Sequence, residues 1–313
     1  MSEQDHKHRW AIILAGGDGT RLKPLTRKIA ADDRPKQFCA IFGERTLLEQ
    51  TQRRVALLFN TTQTLTVVTR THEPFYQEQV NDGSGNRLLV QPKNKGTAPA
   101  ILLSLLRVAQ LSPQAVVAFF PSDHHFTDDG HFMSQVELAF EFVEANAGLI
   151  TLLGIKPDGS EVQYGWIEPR ISCEQQRQQR FLLVRRFWEK PSRFVAKTLM
   201  NDGCLWNTFV MVGHLEAFLE IIFRTLPGLY RTLSSAREAL GSATEEQVLK
   251  RLYSEIISAN FSKEVLAQRP GDLSVLQVSG VGWTDLGEPQ RVVSALQSKS
   301  VLAADDRTML TAT

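Results

Sequence analysis

Gly16, Gly17 and Gly19 crowd one short turn and are followed at once by Thr20 and Arg21. Glycines at that density let peptide N–H groups approach an anion closely, so the turn reads as a phosphate cradle. Arg21 adds a permanently charged planar fork suited to phosphate. The spacing is neither GxGxxG nor GxxxxGK[ST], which disfavours a dinucleotide site and an ATPase P-loop. A glycine turn alone is equally a plain strand-to-helix connection. Its context is Arg34-Pro35-Lys36-Gln37-Phe38, where Pro35 fixes the backbone and Lys36 supplies a compact point charge. Further on, Pro121-Ser122-Asp123-His124 closes an apolar run. A carboxylate at the carboxyl end of a buried strand faces the crevice where α/β sheets bind ligands, and it is a hard oxygen donor suited to Mg²⁺. The adjacent His124 and His125 have the wrong spacing for one helical face, and His125 is read as structural.

The elements that must carry these groups alternate in period. Trp10–Ala15, Thr64–Thr69, Ala115–Phe120 and Leu149–Ile155 are short apolar or β-branched runs that read as buried strands. Helical spacing appears from Leu47 to Phe59, from Thr97 to Leu111 with Pro99 in the first turn, and through Phe132, Val136, Ala139, Phe140 and Val143. Beyond residue 150, strands are expected at Tyr164–Glu168, Phe181–Trp188, Thr208–Val212 and Leu273–Val281, with Glu174–Arg180 an exposed loop. Helices are expected through Phe194–Leu199 ending near Gly203, from Leu215 to Pro227-Gly228, in a subregion from Arg231 to Lys263, and at Gln290–Leu296. The fold class is therefore α/β, a Rossmann-like mixed and mostly parallel sheet with helices on both faces.

The chain has 313 residues, 42% of them hydrophobic, enough for one sizeable domain. That domain is expected over 1–297, with halves of about 10–150 and 151–297 and a tail at 298–313. A formal net charge of +1 gives no field for nucleic acid or an anionic membrane, so an anionic substrate must be held by local donors. The three cysteines Cys39, Cys173 and Cys204 lack CxxC spacing and suggest a reducing compartment. With no signal-peptide core and no apolar run of membrane-spanning length, a soluble cytoplasmic protein is the expectation.

Taken together, GGDGTRLKPLT and RPKQF resemble the signature of the sugar-1-phosphate nucleotidyltransferase family, and PKQF is similar to its mannose-1-phosphate guanylyltransferase branch. The resemblance runs from about Trp10 to Pro289 and implies the nucleotide-diphospho-sugar transferase fold. It assigns nucleotide contacts to Ala15, Gly16, Gly17, Gly19 and Thr20, and to Gln91, Gly96 and Thr97 of the loop QPKNKGTAPA. On its residues alone, that loop is also explained by a simple N-cap at Thr97. The resemblance makes Arg21 and Lys36 the catalytic cations, one on the β- and γ-phosphates and the other on the reacting phosphates. YGWIE and WEKP match the family's sugar motifs and point to Gly165, Glu189 and Lys190; a WN pair adds Asn207. Gly282-Trp283-Thr284-Asp285-Leu286-Gly287 resembles the late motif that supplies the second Mg²⁺ ligand, so Asp123 and Asp285 are the implied metal pair.

The implied reaction is attack of a sugar-1-phosphate oxygen on the α-phosphorus of a nucleoside triphosphate, with GTP and mannose-1-phosphate as the expected pair and a homodimer left open. Other sugar and nucleotide pairs remain, as does a non-catalytic nucleotide-sugar binder, although such a binder has no need of Arg21, Lys36, Asp123 and Asp285 together. Two departures stand out. The stretch from Thr26 to Pro35 is longer than the family's spacer, and Thr208-Phe209 replaces small residues in the sugar region. With about 24 residues after Pro289, no fused isomerase or acyltransferase domain and no full β-helix is expected.

Overall fold

A computed structural model describes residues 8–80, 87–171 and 179–297. The expected tail, most of the expected loop at 174–180, and Cys173 lie outside the described residues. The chain builds β1 (Arg9–Leu14), α1 (Lys23–Ala30), α2 (Leu47–Val55), β2 (Thr64–Thr69), α3 (Glu73–Val80), β3 (Arg87–Gln91), α4 (Thr97–Leu111), β4 (Val116–Pro121), α5 (Asp129–Ala145) and β5 (Ile150–Ile155). There follow β6 (Gly165–Pro169), β7 (Phe181–Glu189), α6 (Arg193–Asn201), β8 (Leu205–His214), α7 (Leu215–Thr225), α8 (Pro227–Ser234), α9 (Glu245–Glu255), α10 (Phe261–Glu264) and β9 (Leu273–Val278). A last helix covers 289–297.

All nine strands join one sheet in the order β3-β2-β1-β4-β8-β5-β9-β7-β6, with β6 also meeting β8. β1 to β4 are mutually parallel. β8 enters antiparallel between β4 and β5, and β9 then runs parallel to β5. Only β7 and β8 oppose the other strands, so the sheet is mixed with one dominant direction.

The period of two in β1 explains the layers. Trp10 and Ile12 point into a core shared with α4, α7 and α9, while Ala11 and Ile13 point into a core shared with α5. A strand buried on both faces has to be apolar throughout, which is why Trp10–Ala15 reads as an unbroken run. Thr46 caps α2 reciprocally with Glu49, satisfying N–H groups that a helix start otherwise leaves unpaired. Pro227 both ends the expected α7 helix and begins α8, because proline costs nothing in a first turn. Arg9, buried at the start of β1, ties the sheet to α5 through Glu137 at 2.6 Å and Glu144 at 2.7 Å.

β8 is longer than the expected Thr208–Val212 and carries a bulge. Its register against β5 shifts between Leu152 and Gly154, and Phe209 adopts φ 61°. Asn207 Oδ1 accepts the Phe209 N–H at 3.1 Å and Thr208 Oγ1 donates to Leu153 O at 2.7 Å, which over-determine the left-handed residue.

Candidate functional site

The carboxyl ends of β1, β3, β4 and β7 converge on a cleft of about 380 Å³. It is lined by Gly16, Gly17, Gln91, Asn94, Gly96 and Thr97 on one side and by Asp123, His124, Glu189 and Phe209 on the other. Asn260 and Ser262, just after α9, complete the rim.

The glycine turn leaves β1 with its carbonyls occupied. Gln37 Nε2 donates to Ala15 O at 3.0 Å and Gly17 O at 2.8 Å, and Thr69 Oγ1 donates to Gly16 O at 3.0 Å. The N–H groups of Gly16, Gly17, Asp18 and Gly19 meet no acceptor among the described residues. A loop with satisfied carbonyls and unpaired N–H groups is an anion-binding nest. Gly19 sits at φ 57°, and a Cβ there would lie 3.2 Å from Lys36 N, so glycine is needed for the loop to fold against Lys36. Asp18 bridges outward, accepting from Asn94 Nδ2 at 2.8 Å and contacting His72 Nε2 at 3.2 Å. The glycine turn and the loop at 91–100 are thereby locked to each other.

Lys36 is buried at 7% exposure. Its ammonium donates to Asp285 O at 2.5 Å and lies 3.2 Å from Asp123 Oδ2. One cation therefore joins two aspartates that are 162 positions apart in the chain. Asp285 Oδ1 accepts from Gly287 N at 2.7 Å and Tyr164 Oη at 3.2 Å, and it pairs with Arg291. Burial alone would push the Asp285 carboxyl up. Lys36, Arg291, the Gly287 N–H and (when protonated) His124 outweigh that and hold it below the ordinary carboxylate range.

His124 accepts from Trp283 Nε1 at its Nδ1, 3.1 Å away, and its Nε2 faces Asp123 Oδ1 at 3.7 Å. Burial drops its pKa to about 4, so it is a neutral ring near pH 7. Asp123 and Asp285 are two hard oxygen donors, and Mg²⁺ characteristically combines one or two carboxylates with several waters, some of which substrate phosphates can replace. No cluster of three or more His, Cys, Asp or Glu side chains forms a metal site among the described residues.

The other expected residues are spread around this centre. Arg21 is exposed and reaches Gln163 Oε1 at 3.3 Å. Gln91 lines the cleft with its Oε1 bound to the buried Tyr253 hydroxyl at 3.1 Å. Gly96, at φ 88°, is the N-cap residue of α4, and the Thr97 hydroxyl instead accepts from Phe261 N at 2.8 Å. Gly165 pairs with Glu189 across β6 and β7, and the Phe187 ring leaves no room there for a side chain. Burial pushes Glu189 above its ordinary value, partly offset by Lys190 and Ser262. Lys190 is half-exposed, at φ 48°, with its ammonium 3.8 Å from Glu189. Asn207 is buried holding the β8 bulge, and its neighbour Phe209 faces the cleft.

A family model described as Nucleotidyl transferase matches residues 10–300. The chain belongs to the nucleotidyl transferase family. It is 28% identical over 311 residues to mannose-1-phosphate guanylyltransferase 2 of Escherichia coli O157:H7, covering 93% of this chain and 60% of that one. It is 31% identical over 225 residues to the alginate biosynthesis protein AlgA of Pseudomonas syringae pv. tomato, covering 71% of this chain and 44% of that one. The chain thus spans about 60% or less of the length of these curated relatives. A crystal structure described as mannose-1-phosphate geranyltransferase from Thermus thermophilus superposes with a TM-score of 0.75 at 28% identity, covering 90% of this chain and 76% of that one.

Asn260, Ser262, Tyr253 and Arg291 were not evident as site residues from the sequence. Tyr253 and Ser262 meet Gln91 and Glu189, which are remote in sequence, and Asn260 reads locally as the cap of α10 through the Lys263 N–H; only Arg291, six positions after Asp285, carried a local hint of the site.

Proposed function

We propose that this chain joins a nucleoside triphosphate to a sugar-1-phosphate and releases pyrophosphate, with GTP and mannose-1-phosphate as the preferred pair. The observation that carries the proposal is that Gly16 and Gly17, with unpaired N–H groups, line one cleft with Asp123, and that buried Lys36 links Asp123 to the backbone of Asp285. Two polyanions have to be brought together there, so catalysis rests on positioning and charge neutralisation. The Gly16–Gly19 N–H groups bind the triphosphate. Lys36 neutralises charge that builds at the α-phosphate, and Arg21 closes over the leaving pyrophosphate. Glu189 orients the sugar hydroxyls and Lys190 its phosphate. Asp123 and Asp285 would hold Mg²⁺, which when bound supplies Lewis-acid polarisation of the phosphates. No general base is required, because a sugar phosphate oxygen is already ionised near neutral pH.

The names of the relatives favour guanylyl and mannosyl groups. Phe209, bulged into the cleft, is the feature that favours a different sugar. Pyrophosphate release, measured across a panel of triphosphates and sugar-1-phosphates with Mg²⁺, decides both points. Release with GTP and mannose-1-phosphate is expected. Preference for UTP or dTTP would overturn the guanylyl assignment, and no release with any pair would overturn the activity.

A further inference from the structure

Arg291 lies on the helix 289–297, outside every motif used so far, yet it touches the reaction centre. Its Nη1 pairs with Asp285 Oδ1, its Nη2 lies 2.8 Å from Glu161 Oε2, and its guanidinium sits 4.4 Å from the centre of the Tyr164 ring. The Tyr164 hydroxyl in turn donates to the same Asp285 oxygen at 3.2 Å, and the Gly287 N–H reaches it at 2.7 Å. Three donors thus converge on Oδ1, whereas Oδ2 accepts no hydrogen bond from the described residues. A carboxylate gripped by one oxygen cannot spin, and it offers the other in a fixed direction.

A cation beside a metal carboxylate can also act by repulsion, which would weaken metal binding. Glu161 decides between the two effects. Arg291 is shared by two carboxylates, so Asp285, Glu161 and Arg291 together keep one net negative charge. The fork geometry of arginine suits this double contact, which a lysine point charge cannot reproduce.

We infer that Arg291, braced by Glu161 and Tyr164, is a positioning residue that holds Asp285 for a divalent cation. The inference rests on the reading of Asp285 as a metal ligand. Partners that orient a ligand in this way typically set metal affinity by about 10- to 100-fold.

Mn²⁺ titrated into the full chain, followed by the loss of its free-ion paramagnetic resonance signal, reads this directly. Arg291→Gln and Glu161→Gln are each expected to raise the Mn²⁺ dissociation constant about 10- to 100-fold. Arg291→Lys is expected to recover part of the loss. Triphosphate affinity measured in EDTA should stay unchanged in all three, because the glycine loop is untouched; a general loss of structure would lower it too. Unchanged or tighter Mn²⁺ binding in Arg291→Gln, with weakened binding in Asp285→Asn, would overturn the positioning role alone. Unchanged binding in Asp285→Asn, or no binding by the wild type, would overturn the metal reading and this inference with it.

Discussion

Lys36 is the side chain on which the cleft turns, because its ammonium is the meeting point of Asp123 and the Asp285 backbone. Lys36→Ala is expected to lower turnover at least about 100-fold, the usual cost of removing a preorganised charge from a reacting centre. Steady-state kinetics with the pair identified by pyrophosphate release would measure it, and near-normal turnover would remove Lys36 from the mechanism. His72 gives a prediction in pH. Burial holds its imidazole below the ordinary value despite Asp18 at 3.2 Å, so the folded protein resists its protonation. Stability from this group is complete above about pH 6.5, the unfolded value, and is lost as pH falls through that value toward the depressed one. Urea unfolding of wild type should therefore weaken more steeply from pH 7 to 5 than that of His72→Gln. At this scale short motifs singled out Gly16 and Asp123, which line one cleft, and Lys36, which contacts Asp123. The sequence was unreadable where role depends on a partner. Nothing near Thr97 announces Phe261, and nothing near Asn207 shows that its amide serves the backbone of Phe209.

Elements deliver these residues through a few close approaches. The start of α4 is packed on the chain after α9: Ala98 N donates to Ala259 O at 3.1 Å, and Ala259 N donates to Lys95 O at 2.9 Å. Gly96 makes this possible, since a Cβ on it would collide with the Ala259 carbonyl and its φ of 88° is strained for any other residue. Gly96→Ala is expected to displace the segment bearing Asn260 and Ser262. Triphosphate KM should rise several-fold or more, together with a stability loss of about 1–3 kcal/mol. An unchanged KM would show that this contact does not shape the site. Farther from the cleft, Thr46→Ala removes half of the α2 capping box and should cost about 1 kcal/mol in chemical denaturation while leaving kcat intact. Long apolar runs such as Val116–Pro121 and periodic helices such as α5 were plain in the sequence. β3, α1 and α3 were not read, being short and flanked by polar residues whose placement depends on the neighbours they pack against. The subregion expected between 231 and 263 resolves into the end of α8, α9 and most of α10, and it contributes Asn260 and Ser262 to the rim of the cleft.

The molecule as a whole is one sheet to which both stretches, 10–150 and 151–297, contribute, and its cleft takes residues from each. Ligand binding should therefore stabilise both stretches together. At a triphosphate concentration 100 times its dissociation constant, unfolding free energy is expected to rise by about 2.7 kcal/mol. Amide exchange should slow in β1 and β4 as well as in β7 and β8, and protection limited to the first stretch would show that the two unfold independently. The placement of β8 has a consequence for synthesis. β1 to β4 leave the ribosome early and can pair among themselves, but the outer side of β4 is satisfied only by β8, which emerges much later. Until then Val116–Phe119, wholly apolar, is a bare strand edge of the kind that recruits other chains. Yield of this protein in a cell should accordingly depend on how fast the ribosome moves from residue 121 to residue 214 and on what holds the nascent edge in the meantime.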